Sequence, residues 1–203
     1  MNNTFYFLRH GQTKRDSGVP ISKWTLSDKG EEQAKKLAQE GVFDDVDIIV
    51  SSTEEKAYRT AQPIADKLGL DIVQAEEISE LNRDKGGFME PYKYEESVKA
   101  CLENLDNSVD SWETAAHALN RFSAKIDELD RNYEAKKILV VGHGFTINLY
   151  FAKLLGVLDE VYKRFSTNSY ADWGVVKNDA VLKGTVTKVL SVSNNGNRLA
   201  SVI

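Results

Sequence analysis

Two of the chain's three histidines stand at matched junctions, and those junctions constrain its fold more than any other feature. His10 sits in Arg9-His10-Gly11, immediately after the apolar run Phe5-Tyr6-Phe7-Leu8. His143 sits in Gly142-His143-Gly144, immediately after Ile138-Leu139-Val140-Val141. Short apolar runs closed by glycine read as buried strands whose backbone turns sharply where the strand ends. In a parallel α/β sheet the carboxyl ends of the strands form one rim, and ligands bind there. Two imidazoles delivered to that rim, one beside a guanidinium, point to phosphate chemistry.

Strand and helix signals alternate on either side of those junctions. The pattern predicts a strand over 4–8 and a helix over 27–40, with Ser27 as N-cap and Gly41 as stop. It continues with a strand over 47–50, a helix over 53–68 that Pro63 should kink, and a weak strand over 71–74. From about 79 to 136 the alternation breaks. Residues 82–91 read as a loop punctuated by Gly86, Gly87 and Pro91, with a helix around Leu102 and Leu105 after it. Trp112, Ala115, Ala116, Leu119, Phe122, Ile126, Leu129 and Tyr133 then recur at helical spacing. The region reads as a helical cap over the rim. The core resumes with a strand over 137–142, a helix near 145–154, strands over 173–176 and 185–192, and a turn over 194–197. The expected architecture is one α/β domain over 1–203, three-layered and doubly wound, with a mostly parallel sheet and a cap insertion.

Composition narrows the partners. A net charge of −5 and a pI near 5.3 argue against nucleic acid, so a phosphate pocket must be a local positive island. Cys101 is the single cysteine, which excludes an internal disulfide and suits a reducing cytoplasm. No window approaches the ~20 apolar residues of a membrane span, and the N-terminus lacks the pattern of a signal peptide. Trp173 and the final hairpin are open to internal packing or to a homodimer edge.

Phosphoryl transfer needs a nucleophile, positive groups on the non-bridging oxygens and a proton for the leaving oxygen. His10 fits the first role if a backbone carbonyl holds one ring nitrogen and the other is free. Arg9 offers a planar fork matched to phosphate, and a protonated His143 would add a second charged donor. The three histidines lack metal-ligand spacing and no Walker-type glycine loop is present, so neither metal nor cofactor is expected.

At these residues the chain resembles the histidine phosphatase superfamily, the phosphoglycerate mutase-like enzymes, over most of its length. Arg9-His10-Gly11-Gln12-Thr13 looks like the family's opening motif, usually with Glu where Gln12 stands. Leu26-Ser27, Gly30 and Gln33-Ala34 resemble the start of its first helix. The stretch 51–61, SSTEEKAYRTA, resembles the second-helix motif, and Val140-Val141-Gly142-His143-Gly144 the segment of the second histidine. The resemblance implies a transient phosphohistidine on His10 that water hydrolyses. Three departures stand out. The family's second phosphate-binding arginine is replaced by Lys56, with Arg59 one turn on as the alternative. Its phosphate-binding asparagine aligns with Asp16. Its proton-donating Glu, in a Leu-x-Glu pattern, corresponds to Glu80 if about three residues are inserted; otherwise Arg83 falls at that position, with Glu90 in reserve.

Other residues read as structural. His117 pairs with Glu113 on a polar helix face, Cys101 is a small buried residue, and Phe88, Tyr92 and Tyr94 belong to the cap core or the substrate mouth. Glu54 and Glu55 suit the first turn of a helix. The leading expectation is a phosphomonoesterase acting on a small phosphorylated metabolite. The alternatives are a phosphoglycerate mutase and a catalytically weakened phosphate-binding regulator.

Overall fold

The computed structural model describes residues 2–183, 190–192 and 198–200. Strands β1 (Thr4–Arg9), β2 (Ile48–Ser51), β3 (Ile72–Gln74), β4 (Lys137–Gly142), β5 (Trp173–Lys177) and β6 (Ala180–Lys183) form one sheet in the order β3-β2-β4-β1-β5-β6. The first four are parallel, while β5 and β6 run antiparallel along one edge. Side chains alternate across the pleat, so each core strand feeds two cores. Phe5, Phe7, Ile138 and Val140 enter one face; Leu8, Leu139 and Val141 enter the other.

Helices α1 (Asp28–Glu40) and α2 (Glu55–Leu68) cover the second face through Leu37, Ala38, Ala57, Ala61 and Ile64. Their small residues permit close approach to the strands. The first face is covered by α3 (Pro91–Glu103), α4 (Ala115–Asn132), α5 (Gly144–Leu155) and α6 (Val161–Thr167). Phe7 meets the rings of Phe122, Tyr150 and Phe151 there, with centroids 5.3–6.1 Å apart. The result is a three-layered, mixed but mainly parallel α/β fold.

Region 79–136 divides into parts with different places. Helix α4 lays its apolar stripe on the sheet as part of the core. The stretch before it, from Ser79 to Trp112, borders the rim. Trp112 stands outside the helix it was expected to begin, because Thr114 caps the helix by accepting from the His117 amide. Helix α1 follows expectation: Ser27 Oγ accepts from the Gly30 amide and Gly41 closes the helix at φ 74°. Ser27→Ala should therefore destabilise the protein by about 1 kcal/mol, read as a lower urea midpoint at unchanged m-value. Trp173 packs internally, against Tyr6 and Phe43. A short pair, β7 (Leu190–Val192) with β8 (Arg198–Ala200), follows; the expected turn over 194–197 lies outside the described residues. Among the described residues no helix is long and apolar enough to cross a membrane.

Candidate active site

Strands β1 and β4 are neighbours in register, Arg9 opposite Gly142, so the two histidine junctions leave the sheet side by side. The His10 and His143 rings lie 5.1 Å apart between centroids, and both are buried. His10 Nδ1 donates to the Gly11 carbonyl at 2.7 Å, which leaves Nε2 with its lone pair free. Burial, then the charges of His143, Lys56 and Arg9, hold the His10 imidazole well below the usual histidine range. It is neutral at neutral pH.

His143 does not match the expectation of a charged donor. Burial and the surrounding Lys56, Arg121, Arg83 and Arg9 push its pKa well down, so it is neutral as well. Its Nε2 lies 2.6 Å from Ser52 Oγ, which itself accepts from the Glu54 amide at 3.3 Å. A proton donated by Ser52 to Nε2 places the His143 proton on Nδ1, a buried nitrogen without a hydrogen-bond partner among the described residues.

The fork of Arg9 is held on one side by Asn168: Nη1 donates to its backbone oxygen at 2.8 Å and its Oδ1 at 2.9 Å. Tyr170 lies beneath the guanidinium, 4.5 Å from Cζ to the ring centroid. Gly144 packs closely here: a Cβ would stand 3.1 Å from Arg9 Cζ, so the guanidinium would have to shift by a few tenths of an ångström. Lys56 is buried at the same site; its Nζ donates to the Ile21 carbonyl at 3.0 Å and pairs with Glu54 at 2.5 Å. Arg59 is placed elsewhere. Half-exposed, it pairs with Glu31 at 2.8 Å and Glu55 at 3.6 Å and borders neither cavity at the rim. The structure thus brings Lys56 to the histidines and leaves Arg59 outside.

Glu80 also reaches the site. Its carboxyl accepts from the Leu81 amide at 3.0 Å and from the Phe145 amide, at the start of α5, at 3.1 and 3.2 Å. Burial raises its pKa above the usual carboxylate range, against the opposing charge of Arg83 and those amides. Glu90 is exposed at the start of α3 and borders neither cavity. Asp16 turns its Oδ1 to the Gly18 amide in an exposed loop and likewise stays clear of both.

Two cavities meet at this point. One, of about 260 Å³, is bordered by Arg9, His10, Lys56, Glu80 and Arg83, with Trp24, Phe88, Met89, Tyr94 and Tyr170 among its apolar walls. The other, about 870 Å³, shares Lys56, Glu80 and Arg83 and is otherwise rich in carboxylates such as Glu54, Glu76 and Glu113. Phe88 is thus part of a mouth, and Tyr92 is exposed rather than core.

Several residues of the site carry no sequence signal that singles them out. Glu54 is more than a helix-start carboxylate: it pairs Lys56, accepts from the Glu80 amide at 2.8 Å and lies 3.5 Å from His143 Nε2. Thr60 Oγ1 accepts from the Gly11 amide at 3.0 Å and fixes the turn beneath His10. Ser52 and Thr60 fall inside the matched second-helix stretch and were findable there. Asn168 and Tyr170 lie in no recognisable motif.

An α/β sheet with paired imidazoles, a guanidinium and a half-buried carboxyl at its rim defines a phosphoryl-transfer site. The chain belongs to the histidine phosphatase superfamily (branch 1), whose family model matches residues 5–181. It is 29% identical over 137 residues, 65% of each chain, to phosphoserine phosphatase 1 of Hydrogenobacter thermophilus. It is 30% identical to the Bacillus subtilis phosphatase PhoE, over 73% of this chain and 76% of that one. Among solved structures, the phosphoserine phosphatase of Entamoeba histolytica in complex with 3-phosphoglyceric acid superposes with a TM-score of 0.73 at 20% identity, covering 91% of this chain and 98% of that one.

Proposed function

We propose that the protein is a metal-independent phosphomonoesterase acting on a small phosphorylated metabolite through a phosphohistidine on His10. The observation that carries this reading is the His10 ring itself, neutral, with Nδ1 tied to the Gly11 carbonyl and Nε2 free beside Arg9. Nε2 attacks phosphorus as the ester P–O bond breaks, and the proton of Glu80 goes to the leaving oxygen. The free edge of Arg9, the Lys56 ammonium and the His143 Nδ1–H hold the three non-bridging oxygens. The Glu80 carboxylate then takes a proton from water as the water oxygen attacks phosphorus. The N–P bond breaks, and inorganic phosphate and neutral His10 are restored. A single cysteine, buried and with its thiol pushed up to about 11, suits a reducing cytoplasm.

The test is hydrolysis of p-nitrophenyl phosphate in EDTA, with the enzyme quenched during turnover and probed for an acid-labile, base-stable phosphoryl group. Turnover with such an adduct is expected. Turnover that EDTA abolishes, or the absence of an adduct under burst conditions, would sink the reading. Transfer of the group to a second sugar or acid hydroxyl, without release of phosphate, would mark a mutase.

Glu80→Gln should separate leaving groups. Alkyl phosphates need the proton, so their kcat is expected to fall on the order of 100-fold, whereas p-nitrophenolate leaves unaided and loses far less. The sign with pH follows from the same carboxyl. Activity requires it protonated, so kcat falls as pH rises through its raised pKa. Activity requires His10 unprotonated, and its lowered pKa moves that limb to more acid pH. An acid-to-neutral optimum is expected for alkyl substrates, with the basic limb absent in Glu80→Gln.

A further inference from the structure

We propose that Glu54 is a positioning residue for proton donation: it anchors the backbone of Glu80, opposes ionisation of the Glu80 carboxyl through its own negative charge, and is itself held in place by Lys56. This rests on the phosphatase reading for the use of the proton, but not for the hold on it. Glu54 occupies the N-cap of α2, where a carboxylate ordinarily accepts from an amide of the helix's first turn. It caps none. Both oxygens turn instead to the site. Oε1 accepts from the Glu80 amide at 2.8 Å, and Oε2 stands 2.5 Å from Lys56 Nζ. Lys56 in turn donates to the Ile21 carbonyl at 3.0 Å, so a chain of contacts runs from Ile21 through Lys56 and Glu54 to the proton donor. The side chains of the ion pair are only 9% exposed for Glu54 and 4% for Lys56. A pair so far from water loses the hydration of both charges and adds little to stability, so stability alone does not account for it.

What the pair does to its neighbours is the better account. Burial is the largest influence raising the pKa of Glu80; the Arg83 guanidinium opposes it, and the Glu54 carboxylate adds to it. The other groups around Glu80 contribute less. His143 at the start of α5 and His10 at the end of β1 are neutral, with Arg9 beside them held by Asn168. On the α4 side, Arg121 is paired with Glu113 and reaches only the Glu80 carbonyl, at 2.9 Å. Glu55 is paired with Arg59. Lys23, Glu76, Glu77, Asp84 and His117 border the larger cavity and make no hydrogen bond or ion pair with Glu80. Glu54 is therefore the negative charge set against Arg83. The reaction asks two things of Glu80: to keep its proton until the leaving oxygen develops charge, and to take one back from water. A carboxylate bound to its own amide favours both.

The experiment follows the Glu80 carboxyl directly, by carbon-13 NMR of protein labelled at the glutamate side-chain carboxyl, with the resonance assigned by its loss in Glu80→Gln. Glu54→Gln keeps an oxygen for the Glu80 amide and loses the charge. Its Glu80 titration midpoint is expected to fall by about one pH unit. The basic limb of kcat for glycerol 3-phosphate should move to lower pH with it, while p-nitrophenyl phosphate, whose leaving group scarcely needs a proton, shows little change. Glu54→Asp keeps the charge and should restore most of the midpoint. A residue that merely supports the fold would lower kcat at every pH and leave the midpoint where it was. Circular dichroism and the urea midpoint confirm that each variant is folded. Should Glu54→Gln unfold with Lys56 stranded, Glu54→Gln combined with Lys56→Met removes both buried charges, and the same fall is expected in it. A Glu80 midpoint unmoved in the folded variant, or moved as far by Glu54→Asp, overturns the proposal even where phosphohistidine turnover is intact. A fallen midpoint in protein whose wild type hydrolyses no phosphate ester leaves the hold on Glu80 standing and removes the phosphatase reading instead.

Discussion

His10→Ala is expected to lower kcat for p-nitrophenyl phosphate by about 10⁴-fold or more, to the background of the assay. The substitution removes the atom that forms the N–P bond, and no neighbour replaces it. His143 is wholly buried, with Nε2 engaged by Ser52. Loss of a covalent nucleophile leaves only the positioning and electrostatic contributions of a site, which hold substrate without opening a path for it. The leaving group is chosen so that general-acid catalysis scarcely matters, and the measurement therefore isolates the nucleophile. Stability should change little by comparison. Among the described residues the His10 side chain makes one hydrogen bond, to the adjacent Gly11 carbonyl, and burying it neutral gains no ion pair that the variant would lose. A urea titration run beside the kinetics checks this, and a rate within tenfold of wild type in folded protein would refute the phosphohistidine.

Gly30→Ala is expected to destabilise the protein by about 3 kcal/mol or more and to lower activity with it. Helix propensity argues the other way, since alanine in place of glycine inside α1 would stabilise by up to about 1 kcal/mol. Sterics decide the sign. A Cβ at Gly30 would stand 2.1 Å from the Gln12 carbonyl oxygen and 3.0 Å from the Gln12 nitrogen. The crossing is reciprocal, because a Cβ at Gly11 would meet the Gly30 carbonyl oxygen at 2.6 Å. These are backbone atoms, which cannot swing aside as a side chain does. The loop they belong to is tied down as well: the Gln12 amide donates to Gln33, and its carbonyl accepts from the Ser27 amide. Making room moves Gly11 off Thr60 and tilts His10 away from the phosphate. Urea midpoints and kcat measured together check both effects, and a stabilised, active variant would show that the two backbones are free to separate.

The same crossing explains a feature of the resemblance. The opening motif and the start of the first helix were separate matches in the sequence, Arg9-His10-Gly11 and Gly30 with Gln33. In the fold they are one contact. Gly11 and Gly30 touch, and the Gln33 side chain accepts the amide that follows Gly11. Their glycines are needed because the strand-end turn and the helix pass closer than any Cβ allows.

The sequence by itself determined the strands that end in His10 and His143, the two flanking helices, and the nature of the fold. These follow from apolar runs, Ser27 and Gly41, which act over a few residues and leave a local signature. It also placed Lys56 and Glu80 among the candidates, through motif position rather than geometry. Only the tertiary structure decided between them and their rivals. Lys56 comes to the histidines and Arg59 turns to Glu31, because three residues along a helix rotate a side chain by about 60° around its axis, and only packing shows on which side of that step the rim lies. Glu80 meets the Phe145 amide at the start of a helix 65 residues away. Tertiary structure alone also joined Ser52 to His143, Asn168 to Arg9 and the aromatic shelf to Arg83. Contacts such as these depend on elements far apart in the chain, and burial lowers the pKa of His143 and raises that of Glu80. Neither leaves a period or a motif to read.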